Sequence, residues 1–264
     1  MLTIATWNIN SVRLRTESVC RFLGEAKPDV LCLQEIKCQD DQFPAKALKA
    51  AGYKYQHVVG QKGWHGVAIV AREKIEPIEA PALCVQKHAR VAAVQIDGVA
   101  IHNLYVPAGA DVPDANINPK FQHKLDFLDE MRRAYSARKG GGPLVLVGDL
   151  NVAPGEFDVW SHKQLLDVVS HTPAETDRLN AIRDEGGFID LARKHRPDPE
   201  RLFTWWSYRS PDWTRNNRGR RLDHIWASAD LAESSQADAF KINVAARSWT
   251  KPSDHVPVLA GFKL

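Results

Sequence analysis

The chain has 264 residues, 44% hydrophobic and 25% charged, with a formal net charge of +3. These are ordinary globular values, enough for a sizeable core, and a single domain over residues 1–264 is expected. No stretch approaches the roughly 18 consecutive apolar residues of a membrane span, and Met1–Asn10 reads as a strand rather than a signal peptide, so a soluble cytoplasmic protein is expected.

Short apolar runs predict strands at Leu2–Trp7, Val30–Leu33, Val67–Ala71, Val91–Ile96, Val99–Val106, Leu144–Gly148, Leu202–Trp206, His224–Ala227 and Val256–Phe262. Asp97-Gly98 between two such runs is a hairpin signal. Helices are predicted at Val12–Glu25, Ala45–Ala51, Pro119–Ala137 and Ala174–Asp184, with Ser11 and Asn118 as N-caps. Gly140-Gly141-Gly142-Pro143 reads as a helix-to-strand loop. Hairpins mixed with helices predict an α/β fold of two mostly antiparallel mixed sheets packed face to face, helices outside. No Gly-rich phosphate-cradling motif occurs.

The four cysteines are Cys20, Cys32, Cys38 and Cys84. None forms a C-x-x-C pair or sits in a His-rich stretch, so neither a zinc site nor a disulfide framework is expected. Local charge says more than net charge. Arg209, Arg215, Arg218, Arg220 and Arg221 face one acid, Asp212, in a segment that also carries Trp213 and follows Trp205, Trp206 and Tyr208. Basic residues interleaved with aromatics suit a nucleic-acid backbone; a solvated loop with buried aromatics is the plainer alternative.

The polar residues at the strand ends carry the chemistry. Asn8, Glu35, Tyr105, Asp149 and Asn151 lie at or just beyond the C-ends of predicted strands. Asp223 and the pair Asp254-His255 immediately precede others. In an antiparallel sheet the C-end of one strand and the N-end of its neighbour share an edge, so these groups can gather on one rim. Any one of them is most often a turn residue; the joint occurrence points further. Hydrolysis of a phosphodiester needs a hard cation held by carboxylate and amide oxygens. It also needs a group to prepare the water, such as a His oriented by a carboxylate, and neutral donors for the phosphoryl oxygens.

At these residues the chain resembles the exonuclease III/abasic endonuclease branch of the endonuclease–exonuclease–phosphatase superfamily. The matching segments are Thr6–Arg13, Leu33–Lys37, Gly63–Ala68, Asn103–Gly109, Gly148–Pro154, Phe203–Trp206, Asn217–Ile225 and Ser253–Val258, in family order. The resemblance implies a four-layer α/β sandwich. It implies Mg²⁺, replaceable by Mn²⁺, on Asn8 and Glu35, with Asp149, Asn151, Asp254 and His255 as further metal or phosphate residues. Tyr105, Asp149, Asn151, Asp223 and His255 are the implied catalytic set. Asp223 is expected to pair with His255. The resemblance leaves either Asp149 or His255 to deprotonate the water; Asp149 is the preferred base, with His255 polarising the phosphate. Arg90, Lys120, Trp205, Arg209, Trp213, Arg218, Arg220 and Arg221 are the expected DNA contacts.

The implied partner is double-stranded DNA with abasic sites or with blocked or recessed 3′ ends, bound by a monomer associated with the nucleoid. The implied reactions are incision 5′ of an abasic site, 3′→5′ exonuclease action and removal of 3′-phosphate blocks, within base excision repair. Three departures stand out: Ala108, Arg220, and Ser170-His171 where many members carry Gly-Phe. His171 is expected to narrow the substrate pocket. Other readings of the same scaffold are a lipid or inositol phosphatase, a deadenylase, or a silent nucleic-acid-binding protein. The Arg/Trp segment argues against the first two and the intact acidic set against the last.

Overall fold

The computed structural model describes residues 1–137, 141–210 and 212–264, so Gly140 of the expected loop lies outside the described residues. In chain order the strands are β1 (Leu2–Asn8), β2 (Val30–Gln34), β3 (Tyr55–Val59), β4 (Val67–Ala71), β5 (Glu76–Pro77), β6 (Val91–Ile96), β7 (Val99–Tyr105), β8 (Leu144–Asp149), β9 (Phe188–Asp190), β10 (Asp223–Ser228), β11 (Ser235–Ile242) and β12 (Val258–Phe262). The helices are α1 (Thr16–Ala26), α2 (Ala45–Ala50), α3 (Pro119–Ser136), α4 (His162–Leu165), α5 (Pro173–Glu185), α6 (Leu191–His195), α7 (Trp213–Asn216) and α8 (Ala229–Glu233).

Two six-stranded mixed sheets form, ordered β11-β12-β1-β2-β4-β3 and β5-β6-β7-β8-β10-β9. Only β1–β2 and β7–β8 pair in parallel among the described strand pairs; the rest are antiparallel.

Period-2 alternation builds the layers. Leu2, Ile4, Val30 and Cys32 of one sheet meet Ile101, Val145, Val147 and Ile225 of the other in a central core. The opposite faces carry Trp7, Leu31 and Leu33 against Phe22, Leu23 and Leu48 of α1 and α2. Leu144, Leu146 and Trp226 pack against Phe127, Leu128 and Met131 of α3 and Leu179 and Ile182 of α5. The order is helix, sheet, sheet, helix. A half-buried sheet is stabilised by about 25 cal/mol per Å² of apolar surface withdrawn, and here each sheet buries both faces.

The element ends differ from expectation in three places. The first helix starts at Thr16, four residues late, because Asn10 and Ser11 sit at positive φ (47° and 84°) and turn the chain off the rim. Ser11 is therefore no cap, whereas Asn118 accepts from the Lys120 amide as expected. Leu202–Trp206 forms no strand; Trp205 makes only isolated bridges to Arg220 and His255. The last strand starts at Val258, and β3 and β11 lacked the dense apolar runs that mark the central strands.

Candidate active site

The same alternation that builds the central core delivers the polar rim. Asn8 continues the inward parity of Leu2 and Ile4; Asp149 continues that of Val145 and Val147; Asp223 precedes Ile225. Register aligns them across each sheet: Tyr105 pairs with Asp149, Asp149 with Asp223, and Asn8 with Gln34, one residue before Glu35. Gly148 is needed for this. Its φ is 142°, and a Cβ there would fall 1.9 Å from the Leu104 carbonyl oxygen of β7. Left-handed residues then end three strands at the rim, with Asn10 at φ 47°, Glu35 at 49° and Asn151 at 54°. Asn adopts this region readily, but Glu does so at a cost of about 1 kcal/mol, a sign of function at Glu35.

Behind the rim Gln34 donates to Asn103 Oδ1 (2.6 Å) and Thr6 Oγ1 (2.9 Å), and Asn103 donates to the Leu33 and Ala68 carbonyls. This buried amide ladder ties the two sheets together just below the site.

At the rim itself the Asn8 amide donates to Glu35 Oε1 and Asp149 Oδ2, both at 2.8 Å. The Tyr105 hydroxyl donates to Glu35 Oε1 at 2.9 Å, and Asn151 donates to Asp149 Oδ2 at 3.0 Å. His255 Nδ1 lies 2.8 Å from Asp223 Oδ2, with Nε2 3.8 Å from Asp149 Oδ2. Asp254 accepts from Asn10 Nδ2 and Trp205 Nε1.

Burial raises the Asp149 carboxyl far above the ordinary carboxylate range, against the pull of His255 and with Asp223 adding to the rise. Burial also opposes charge on His255, but Asp223 and Asp149 outweigh it and raise the imidazole above its ordinary value. Burial, then the Glu35 and Asp149 charges, keep Tyr105 a protonated phenol.

Two cations and an amide escaped the sequence reading. Lys37 sets its ammonium between Glu35 Oε2 (2.9 Å) and Asn10 Oδ1 (2.6 Å). It follows Glu35 by two residues, the spacing that also separates Asn10 from Asn8, and that spacing was the available signal. Lys124 is fully buried, pairs with Glu175 and donates to the Asn151 carbonyl at 2.7 Å. Glu175 in turn accepts from the Ser170 and Thr172 amides. A lysine on a helix gives no hint in sequence that it supports a loop.

A cleft of about 640 Å³ opens beside the rim, lined by Glu35, Asn151, Asp254 and His255 at one end and by Trp160, Trp205, Arg209, Arg218 and Arg220 around it. Arg209 and Arg218 are exposed, Arg218 lies over the Trp160 ring, and Arg220 lies over Trp205 while donating to the Val169 carbonyl and Ser170 Oγ. Lys120 is exposed in the first turn of α3. Trp213 packs against Trp206 and lines a smaller hollow that shares Arg209 and Arg218 with the cleft.

Three expectations are corrected. Arg221 is 1% exposed and pairs with Asp158 and Asp190, so it holds the fold and reaches no phosphate. His171 is 2% exposed, with its ring bound to the Ala153 carbonyl and to His162. Its neighbours Val169 and Ser170 line the cleft instead. Asn8 accepts the Asn10 amide on its oxygen and donates its NH₂ to the Glu35 and Asp149 carboxylates, so it stands between the two acids. Cys84, expected to lack histidine neighbours, lies beside His88 and His123. Arg90 is buried with its guanidinium over the Tyr105 ring, where it braces that residue.

The donor set suits a hard cation. Glu35, Asp149, Asp223 and Asp254 bring four carboxylates to the rim, against Lys37 and His255. Ligand atoms of Asp149, Asp223 and His255 lie within 4.8 Å of one another, and Asp223 Oδ1 is buried without a hydrogen-bond partner among the described residues. The Lys37 ammonium itself rests on oxygen donors.

Comparison with known proteins agrees. A model of the Endonuclease/Exonuclease/phosphatase family matches residues 5–255. Exodeoxyribonuclease III of Haemophilus influenzae is 30% identical over 271 residues, covering 98% of each chain. Among solved structures, an AP endonuclease from Archaeoglobus fulgidus superposes with a TM-score of 0.91 at 33% identity, and a 3′-5′ exonuclease from Neisseria meningitidis with 0.90 at 30%, each over 100% of both chains. The chain belongs to the endonuclease/exonuclease/phosphatase family of metal-dependent enzymes. Within it the chain falls in the exodeoxyribonuclease III/AP endonuclease branch and is a nuclease, a hydrolase of phosphoric ester bonds. Among the described residues no helix is long and apolar enough to cross a membrane.

Proposed function

We propose that this nuclease hydrolyses the backbone of double-stranded DNA in base excision repair, at abasic sites and at recessed or blocked 3′ ends, using Mg²⁺. The observation that carries the reading is the meeting of Glu35, Asp149, Asp223 and His255 at one rim, beside a cleft bordered by Arg209, Arg218 and Trp205. Arginines stacked on aromatics at a cleft mouth suit phosphate and sugar contact without base reading. A site that reads backbone shape serves both internal and terminal phosphates.

Glu35 and Asp149 would hold the cation, with Asp254 and the Asn151 amide oxygen nearby. Bound there, Mg²⁺ would neutralise charge developing on the phosphoryl oxygens. Asp149, raised toward neutrality by burial, is the group suited to take the proton of the attacking water, since a base acts best with a pKa near the working pH. His255, held charged by Asp223, would polarise the phosphate through Nε2. The Tyr105 phenol, kept protonated, would donate to an ester oxygen.

The test is a duplex with one tetrahydrofuran site, labelled at its 5′ end and incubated with Mg²⁺ or with EDTA. Metal-dependent incision is expected. Failure to cut either this duplex or a nicked duplex overturns the reading.

A further inference from the structure

Behind Tyr105, outside the rim, three residues from two parts of the chain converge. Cys84 lies in the connection between β5 and β6, His88 four residues on, and His123 in the second turn of α3. One ligand atom from each lies within 4.8 Å of the other two. Cys84 Sγ stands 3.7 Å from His123 Nε2. Two donors on a tetrahedral zinc, at about 2.3 Å for sulfur and about 2.0–2.1 Å for nitrogen, lie about 3.6 Å apart. That separation is therefore already set for a shared ion.

The backbone is bent to bring it about. Cys84 sits at φ 75° and Lys87 at φ 53°, in a turn closed by the Lys87 amide on the Cys84 carbonyl at 2.7 Å. A left-handed cysteine costs about 1–2 kcal/mol, and such outliers persist where the surroundings over-determine them. The Cys84 amide donates to Glu130 Oε2 at 2.6 Å, which fixes the turn to α3 and leaves a carboxylate beside the cluster. His88 stacks on His65 with ring centroids 4.3 Å apart, and its Nδ1 is buried with no hydrogen-bond partner among the described residues. Burial, with Arg90 adding to it, lowers the pKa of both His88 and His123.

We propose that Cys84, His88 and His123 form a second metal site, specific for Zn²⁺ and separate from the phosphodiester-cleaving rim. One thiolate and two imidazoles are borderline-soft donors that favour Zn²⁺ over the hard Mg²⁺, and three protein ligands leave a fourth position for water. On binding, the Cys84 thiol loses its proton to solvent as the sulfur–metal bond forms. The ion fastens the 84–88 turn to α3. Arg90, two residues beyond the turn, donates to the Tyr105 carbonyl at 3.1 Å and covers its ring. Zinc is in this way a staple behind Tyr105.

Co²⁺ is the probe, because a thiolate ligand gives it a near-ultraviolet charge-transfer band and no cysteine lies in the rim. Chelator-treated full-length protein, held in excess Mg²⁺, is titrated with Co²⁺ and then with Zn²⁺. One equivalent of the band is expected, bleached by Zn²⁺ and absent from Cys84→Ser. His88→Ala should weaken Co²⁺ binding by more than about tenfold, the loss that even an outer partner can cause. Glu35→Gln should leave the band unchanged. No band in the wild-type protein, or a band that survives in Cys84→Ser, overturns the site. Should Cys84→Ser not fold, the wild-type titration and His88→Ala decide, and unaltered binding in His88→Ala also overturns it.

Discussion

His255 Nδ1 binds Asp223 at 2.8 Å while Nε2 faces Asp149 at 3.8 Å, so one buried imidazole lies between two buried carboxylates. The two contacts have opposite consequences. Asp223 holds the ring charged and oriented, and that charge moderates the rise in Asp149 caused by burial. Asp223→Asn removes the anion with little change of shape. The imidazole then loses much of its charge at neutral pH, and the cleavage rate is expected to fall by about 10²-fold or more. Single-turnover rates on duplex DNA across pH read this directly. The acidic limb, governed by Asp149, should move upward in pH, because losing the imidazolium charge, which lowers the Asp149 pKa, outweighs losing the Asp223 charge, which raises it less. An unmoved profile would separate the two groups.

Glu35 carries the second prediction. Its Oε1 accepts from Asn8 and Tyr105 and its Oε2 pairs with Lys37. Removing the carboxylate takes one anionic ligand from the cation and leaves the Lys37 ammonium in its place as a competing charge. EDTA should abolish cleavage by the wild-type protein, and Mg²⁺ should restore it. Glu35→Ala should need far more Mg²⁺ for half-maximal rate, with partial recovery at saturation. A rate that never responds to added Mg²⁺ would assign Glu35 a role beyond holding the ion.

Much of this site was legible because strands expose it by parity. Asn8, Asp149 and Asp223 carry on an inward alternation of apolar residues, so their arrival at one edge follows from strand direction. What lay outside that rule was missed. Lys37 and Asn10 are themselves in left-handed turns past the strand ends, where periodicity lapses. Lys124 looks like any polar residue of α3, and its burial arises only when the Ser170 loop closes over it. Cys84 and His123 are 39 residues apart, and no local spacing relates them. His171 was misread for the converse reason: its position in the chain was right, but a turn at Ser170, φ 83°, rotates its ring away from the cleft.

That rotation gives a third prediction. His171→Gly should leave the ratio of abasic incision to exonuclease rate unchanged while lowering stability, since the ring fills a buried space and binds the Ala153 carbonyl. Arg220→Leu should change the ratio, because Arg220 lines the cleft and lies over Trp205. Parallel assays on the abasic and recessed-end duplexes distinguish the two residues. The reverse pattern would return His171 to the pocket wall.

The buried Lys124–Glu175 pair supplies a fourth. Both side chains are fully enclosed. Lys124→Met leaves Glu175 as an uncompensated buried anion, at a cost of about 3–5 kcal/mol. The double change Lys124→Met with Glu175→Gln should recover much of that stability in denaturant unfolding. It should not recover all of the activity, because the Asn151 carbonyl and the Ser170 loop lose their common anchor.

The last prediction concerns pH and lies away from the rim. His224 is fully buried; its Nε2 donates to the Val152 carbonyl at 2.9 Å, and its Nδ1 accepts from the Arg221 guanidinium at 3.1 Å. The Arg221 contact requires the neutral ring, because a protonated Nδ1 has no lone pair to accept with. Burial, reinforced by Arg221, lowers its pKa from 6.5 to about 4. The unfolded chain takes up a proton near the ordinary value while the folded chain refuses it. The stabilisation is therefore complete above about pH 6.5 and is lost as the pH falls from there through about 4. At about 1.36 kcal/mol per pH unit, this one group contributes on the order of 3 kcal/mol. His224→Gln keeps an acceptor for Arg221 and a donor for Val152 but has nothing to titrate. Its unfolding free energy should fall less steeply than that of the wild type over this window, by up to about 3 kcal/mol in total. Equal slopes for the two proteins would mean that His224 is protonated in the folded state and that the Arg221 contact is not made.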